Sequence, residues 1–208
     1  MVRLTRKERE RRRHRRAILA AAEEVFGGKG FHNATVQEVA DRAEFAVGTI
    51  YNMFENKADI YRSLIRLRAR EYLDEVAARI DANATPCDKV RTIVAAKVEF
   101  FERHQEFFRI FSREGLSGDI DTPFAVTEEG RAIYQRGVNM VRDVFEEGIQ
   151  AGVFFDADPM GFTLALEGMT DALLSYALHN DGTSVGELDA GIVERILFDG
   201  ILTEGSRP

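Results

Sequence analysis

The chain has 208 residues, 45% of them hydrophobic, and a single cysteine, Cys87. That is enough apolar material for a real core, it rules out an internal disulfide framework and so fits a cytoplasmic protein, and no apolar run reaches the roughly 18 residues a membrane span needs. The net charge of −7 hides an asymmetry: residues 1–60 hold 12 Lys and Arg against 9 Asp and Glu, residues 61–208 hold 16 against 26, and the first 16 residues alone hold 9 against 2.

A basic head on an acidic body is the footprint of a nucleic-acid contact at one end, although a solvated arginine-rich helix gives the same count. The apolar stretch after that head stops at Glu23-Glu24, too early for a secretory signal. Apolar residues then recur at helical spacing nearly throughout, which predicts an all-α fold. Ile18, Ala21, Ala22, Val25 and Phe26 line one face of a first helix, which Gly27-Gly28 is expected to end. Thr35 starts a second, with Glu38 three residues on completing a capping box. A third, short helix covers roughly 47–53. Asn56 caps a fourth that runs to about Ile80, and Pro86 opens a fifth reaching about His104. A short helical piece, Glu106 to Arg113, leads into a loop at 115–123. Residues 128–151 form a long helix closed by Gly152. Asp158-Pro159, a capping residue before a proline at the first helical position, opens the next, to about His179. Asp181-Gly182 breaks it, and a last helix runs from about Gly186 to Leu202. The head, 1–56, is expected to bind DNA, and the body, 57–208, to bind ligand and dimerise. The Arg3–Arg16 arm reads equally as a helix extension or as a flexible minor-groove reader.

Residues 35–54, TVQEVADRAEFAVGTIYNMF, have the physical grammar of a helix-turn-helix. Val39 and Ile50 face inward, Ala40 is small enough for two helices to cross closely, and Phe45 plugs the turn. The second helix is short and polar enough outside to lie in a major groove. Gly48 lets backbone approach DNA, the amides of Asn52 and Gln37 match adenine's edge, and hydroxyl and ammonium groups anchor phosphates.

The register Thr35, Ala40, Gly48, Thr49, Ile50, Tyr51, Phe54 and Lys57, preceded by Phe26-Gly27 and Gly30-Phe31, resembles the tetracycline-repressor (TetR) family of transcriptional regulators. Gly148-Ile149-Gln150-Ala151-Gly152-Val153-Phe154 and Asp158-Pro159 resemble the junction between the seventh and eighth helices of that family. The resemblance implies a dimeric, ligand-responsive repressor. It places Thr35, Thr49, Tyr51 and Lys57 on DNA phosphates or at the DNA surface, and Gln37, Val47, Gly48 and Asn52 towards the groove. Three residues depart from the pattern. Glu44 stands in the turn where the family has Gly, Ala46 where it has a hydroxyl cap, and Met53 where an aromatic is common.

In the body, Gly161, Ala165, Gly168, Ala172 and Ser175 form a small-residue stripe, and Phe162, Leu166, Met169, Leu173 and Tyr176 a large one beside it. The last helix, with Ile192, Val193, Ile196, Leu197 and Phe198, is apolar on more than one face and needs a second burial partner. The family pairs these two helices with their copies, which implies a homodimer through Gly161, Ala165, Gly168, Ala172, Ser175, Ile192 and Ile196. A cavity walled by Phe101, Tyr134, Val138, Phe162, Leu166 and Met169, with Arg68, Lys97 and His104 as its few polar contacts, would take a mostly apolar effector. No catalytic, metal or cofactor site is expected, because His14, His32, His104 and His179 lack ligand spacing. The expected partners are an operator in double-stranded DNA, a small effector and a second copy, with no membrane. A redox-responsive regulator using Cys87 and a non-sensing DNA-binding protein are the alternative functions.

Overall fold

The computed structural model describes residues 5–115, 127–180 and 191–201 of the chain, the side chains at 111–115 and 201 excepted. The described residues fold into α-helices without a strand: α1 Arg6–Lys29, α2 Val36–Ala43, α3 Val47–Tyr51, α4 Lys57–Arg79, α5 Pro86–Arg103, α6 Gln105–Gly115, α7 Glu128–Gln150, α8 Pro159–His179 and α9 Gly191–Ile201. Arg3, most of the loop at 115–123, the break at Asp181-Gly182, and the expected start and Leu202 end of the last helix lie outside the described residues.

Most starts follow from capping chemistry. Thr5 with Glu8, and Thr35 with Glu38, each form a complete capping box. Thr85 and Asp158 cap α5 and α8, whose first residues are prolines that have no amide to leave unsatisfied. Gly27-Gly28 does not end α1. Both remain helical, and the chain leaves the helix at Gly30, where φ is 78° and the amide donates to Phe26 O at 2.8 Å. Gly27 is small for another reason: a Cβ there would run into the Glu106 carboxylate.

The chain divides into two compact units, Met1–Arg68 with Glu106–Gly130, and Ala69–Gln105 with Arg131–Pro208. α4 contributes residues to both. In the first unit the inner face of α1 (Ile18, Ala22, Phe26) is fully buried together with Val39, Ala40, Ile50 and Leu64. Glu23 is also buried there, and its carboxylate accepts from Arg68 Nε at 3.0 Å. In the second unit Phe145 is the hub. Its ring centroid lies 5.7 Å from that of Phe154 and 5.5 Å from that of Phe162. Val90, Val94, Leu166, Val193, Leu197 and Phe198 complete the cluster, so α8 packs on α5 and α9.

Candidate nucleic-acid interface and ligand site

The unit of α2, the turn and α3 buries one of its faces. Val39, Ala40, Ile50 and Phe54 are at most 2% exposed, which leaves the other faces of α2 and α3 in solvent. On those faces Gln37, Gly48, Tyr51 and Asn52 are exposed, and Val47 and Thr49 are half-buried. Tyr51 is 54% exposed and so is not a core aromatic. Nothing lies within 4 Å of where a Gly48 side chain would begin, so backbone can approach a groove there. Gln37 is held along α2 by a 2.7 Å hydrogen bond from Nε2 to Asp41 Oδ1.

The turn between the helices bears the strain its sequence implies. Glu44 is the single non-glycine residue with positive φ among the described residues, at φ 58°, ψ 38°. Ala46 gives α3 no side-chain cap.

Two expected DNA contacts have internal tasks instead. The hydroxyl of Thr35 accepts from the Glu38 amide and donates to its carboxylate, so it is spent on the cap. That cap and Lys29 hold the Glu38 carboxyl down to about 2, the hydrogen bond from Lys29 being the larger cause. Lys57 is half-buried. Its ammonium donates to Phe31 O at 2.8 Å, His32 O at 3.1 Å and Ala34 O at 2.8 Å, and sits 4.6 Å from the Phe31 ring centroid. All three N–H donors are thereby used, and Lys57 fastens the start of α4 to the α1–α2 connection. The reading of Lys57 as a phosphate contact is corrected accordingly.

A residue without a place in the family pattern does similar work. Arg15 donates to Met53 O at 2.8 Å and to Ser63 Oγ at 2.7 Å, with its guanidinium 4.1 Å from the Phe54 ring centroid. It ties the end of α3 to α1 and α4. The sequence carries a signal for it: Arg15 precedes Leu19, Ala22 and Phe26 at steps of four, three and four, on the buried face.

In the second unit Leu166, Phe162 and Phe101 are buried, Met169 packs against the core, and Val138 is half-buried. Tyr134 is 65% exposed, which corrects its place in the cavity set. Arg68 belongs to the first unit, with its guanidinium on Glu23, and so leaves that set as well. Lys97 is buried and meets Glu167 at 2.5 Å and Asp171 at 2.7 Å, tying α5 to α8. Burial alone would lower its pKa, but the two carboxylates outweigh that and hold the ammonium charged. His104 ends α5, with its ring 4.4 Å from that of Phe100. An open groove along α7 is lined by other residues, among them Gln135, Asn139 and Met140. Burial pushes the Cys87 thiol up, away from the thiolate a redox sensor needs.

The small stripe of α8 lies on the surface of the single chain. Gly161, Ala165, Gly168 and Ala172 are exposed and Ser175 is half-buried. Beside them Leu164 and Ile196 are each 58% exposed, Tyr176 55% and Ile192 42%. No described helix is long and apolar enough to cross a membrane.

Residues 18–64 match the family model for bacterial regulatory proteins of the tetR family. The chain is 26% identical over 135 residues to the fatty acid metabolism regulator protein of Bacillus subtilis, an alignment covering 65% of this chain and 68% of that one. It is 39% identical over 105 residues to the HTH-type transcriptional repressor BepR of Brucella suis, covering 48% of this chain and 49% of that protein. Among solved structures, FadR of Bacillus subtilis in complex with stearoyl-CoA superposes with a TM-score of 0.78 at 23% identity, covering 89% of this chain and 98% of that one. At that identity the likeness establishes the shared fold.

Proposed function

We propose that the chain, whose residues 18–64 match the tetR family of bacterial regulatory proteins, is a transcriptional regulator that represses as a dimer on a near-palindromic operator and is released by a mostly apolar effector. The observation that carries the reading is the two-faced head: Ile50 and Phe54 buried, Tyr51 and Asn52 exposed at the end of α3. Residues 1–56 are the reading domain and 57–208 the sensing and dimerising one. Gln37, Val47, Gly48 and Asn52 face base edges, and Thr49 and Tyr51 contact the backbone.

The effector site is placed among Phe101, Val138, Phe162, Leu166 and Met169, with Lys97 and His104 as its polar end. Lys97 would meet a headgroup together with its carboxylate partners Glu167 and Asp171, which suits a neutral carbonyl or hydroxyl on an apolar chain better than an anion. The names of two relatives, a fatty acid metabolism regulator and a regulator solved with stearoyl-CoA, make long-chain acyl-CoA the first compound to try. Release follows from linkage: an effector that prefers the form with misplaced recognition helices weakens DNA binding by the same factor. α4 is the proposed lever, since it begins beside the reading head and supplies residues to both units.

The test is selection of bound sites from random duplex DNA, followed by titration of the selected duplex with stearoyl-CoA. A twofold-symmetric consensus released by the ligand is expected, with Leu166→Trp abolishing release and leaving DNA binding intact. Selection of no consensus would overturn the reading.

A further inference from the structure

The basic arm at the start of the chain is a continuation of α1. The helix begins at Arg6, and the Thr5–Glu8 capping box holds its first turn. Arg6, Arg9, Arg13 and Arg16 follow at steps of three, four and three, so their side chains share one face. All four are exposed, and none makes an ion pair with a carboxylate among the described residues. Glu8, one of the two acids in this stretch, is bound to Thr5. The buried face of α1 begins with Arg15 and Ile18, on the other side of the helix.

Adjoining residues of α1 pack on the helix-turn-helix. The His14 ring lies 5.0 Å from that of Phe45, in the turn between α2 and α3, and Arg15 holds the carbonyl of Met53 just after α3. Those contacts are made from another side of α1; the arginine face begins at the same turn of the helix and runs for about 15 Å along its exposed side. Four exposed guanidinium groups over that length make a dense positive strip, and the planar fork of each suits a phosphate.

We infer that Arg6, Arg9, Arg13 and Arg16 form a second DNA-binding surface, which grips the phosphate backbone of duplex outside the bases read by α2 and α3. The inference rests on the proposed reading of the head as a DNA reader. It assigns the arm to backbone affinity and not to base choice. The arm extends the footprint of each protomer and makes binding depend on the length of the duplex as well as on its sequence.

The experiment uses the full chain and two duplexes: the selected site trimmed at its outermost chosen base pair, and the same site with ten base pairs of arbitrary sequence on each side. Two variants change all four arginines, one to Gln and one to Lys, both good helix formers. Circular dichroism checks that each is folded. On the long duplex the Gln variant is expected to bind about tenfold or more weakly, with the salt slope flatter by about two units or more, at about 0.9 for each phosphate no longer neutralised. On the short duplex it binds as wild type does, and the Lys variant recovers most of the slope on the long one. Equal behaviour of wild type and the Gln variant on both duplexes, an equal loss on both, or failure of Lys to restore the slope overturns the assignment. So does loss of binding to vesicles of phosphatidylglycerol and phosphatidylcholine with no change on DNA, which would give the face to a membrane surface. If the wild type bound neither duplex, the reading of the head itself would fall, an outcome distinct from these because the short duplex would also be empty.

Discussion

At the scale of single residues, two side chains in the head trade stability against each other. Glu44 sits at φ 58°, ψ 38°, a conformation that disfavours a side chain by roughly 1–2 kcal/mol. Glu44→Gly removes that strain and adds some unfolded-chain entropy, so we expect a net gain of about 0.5–1 kcal/mol, read as a rise of a few degrees in Tm, with operator affinity unchanged within twofold. A fall in Tm would show that the Glu44 side chain is held by contacts that offset its backbone. Lys57 runs the other way. Its ammonium serves three carbonyls of the α1–α2 connection, and Lys57→Ala leaves those acceptors short of a charged donor. A loss of about 2 kcal/mol is expected, roughly 4–8 °C in Tm. The salt slope of DNA binding, measured well below the melting point, should stay as in wild type. A slope flatter by about one unit with an unchanged Tm would return Lys57 to the phosphates.

At the scale of elements, the junction after α7 shows how closely helices and turns are fitted. Gly152 leaves α7 at φ 69°, and the chain then folds Phe154 back against Gly148, where a Cβ would overlap the ring. Gly148→Ala should therefore cost about 1–3 kcal/mol by displacing Phe154 from Phe145, measured by urea unfolding. A variant as stable as wild type would mean that the ring has room to move. This junction was legible in the sequence as a glycine pair followed by an apolar run and Asp158-Pro159, and so were the capping box at Thr35 and the caps at Asn56 and Asp158, because local hydrogen-bond chemistry sets them. What the sequence concealed depends on contacts distant along the chain. Gly27 reads as a helix end but serves the approach of Glu106, 79 positions on. Lys57 reads as a phosphate ligand but finds carbonyls that only the folded head brings near. Tyr134 follows a helical stripe yet lies in water, since a stripe specifies a face and not which neighbour covers it. Lys97 was visible as a charge among apolar residues, but its partners Glu167 and Asp171 are on another helix.

At the scale of the whole molecule, the proposed function assigns a partner to each of two exposed faces, a second copy to that of α8 and α9 and duplex DNA to that of α2 and α3. Leu164, Tyr176, Ile192 and Ile196 around a stripe of small residues form an apolar surface that a monomer would leave in water. Light scattering at micromolar concentration is expected to give twice the 23.4 kDa of one chain. Ile196→Arg with Ala172→Arg should give single chains that bind a full operator at least tenfold more weakly, and a dimer unaffected by both changes would put the interface elsewhere. Anisotropy titration of Tyr51→Ala and Asn52→Ala against the selected duplex and a scrambled one checks whether Tyr51 and its neighbours read duplex DNA. Tyr51→Ala is expected to weaken both duplexes alike, and Asn52→Ala to lose about 1–3 kcal/mol on the selected duplex alone; wild-type affinity for both duplexes in both variants would contradict the account.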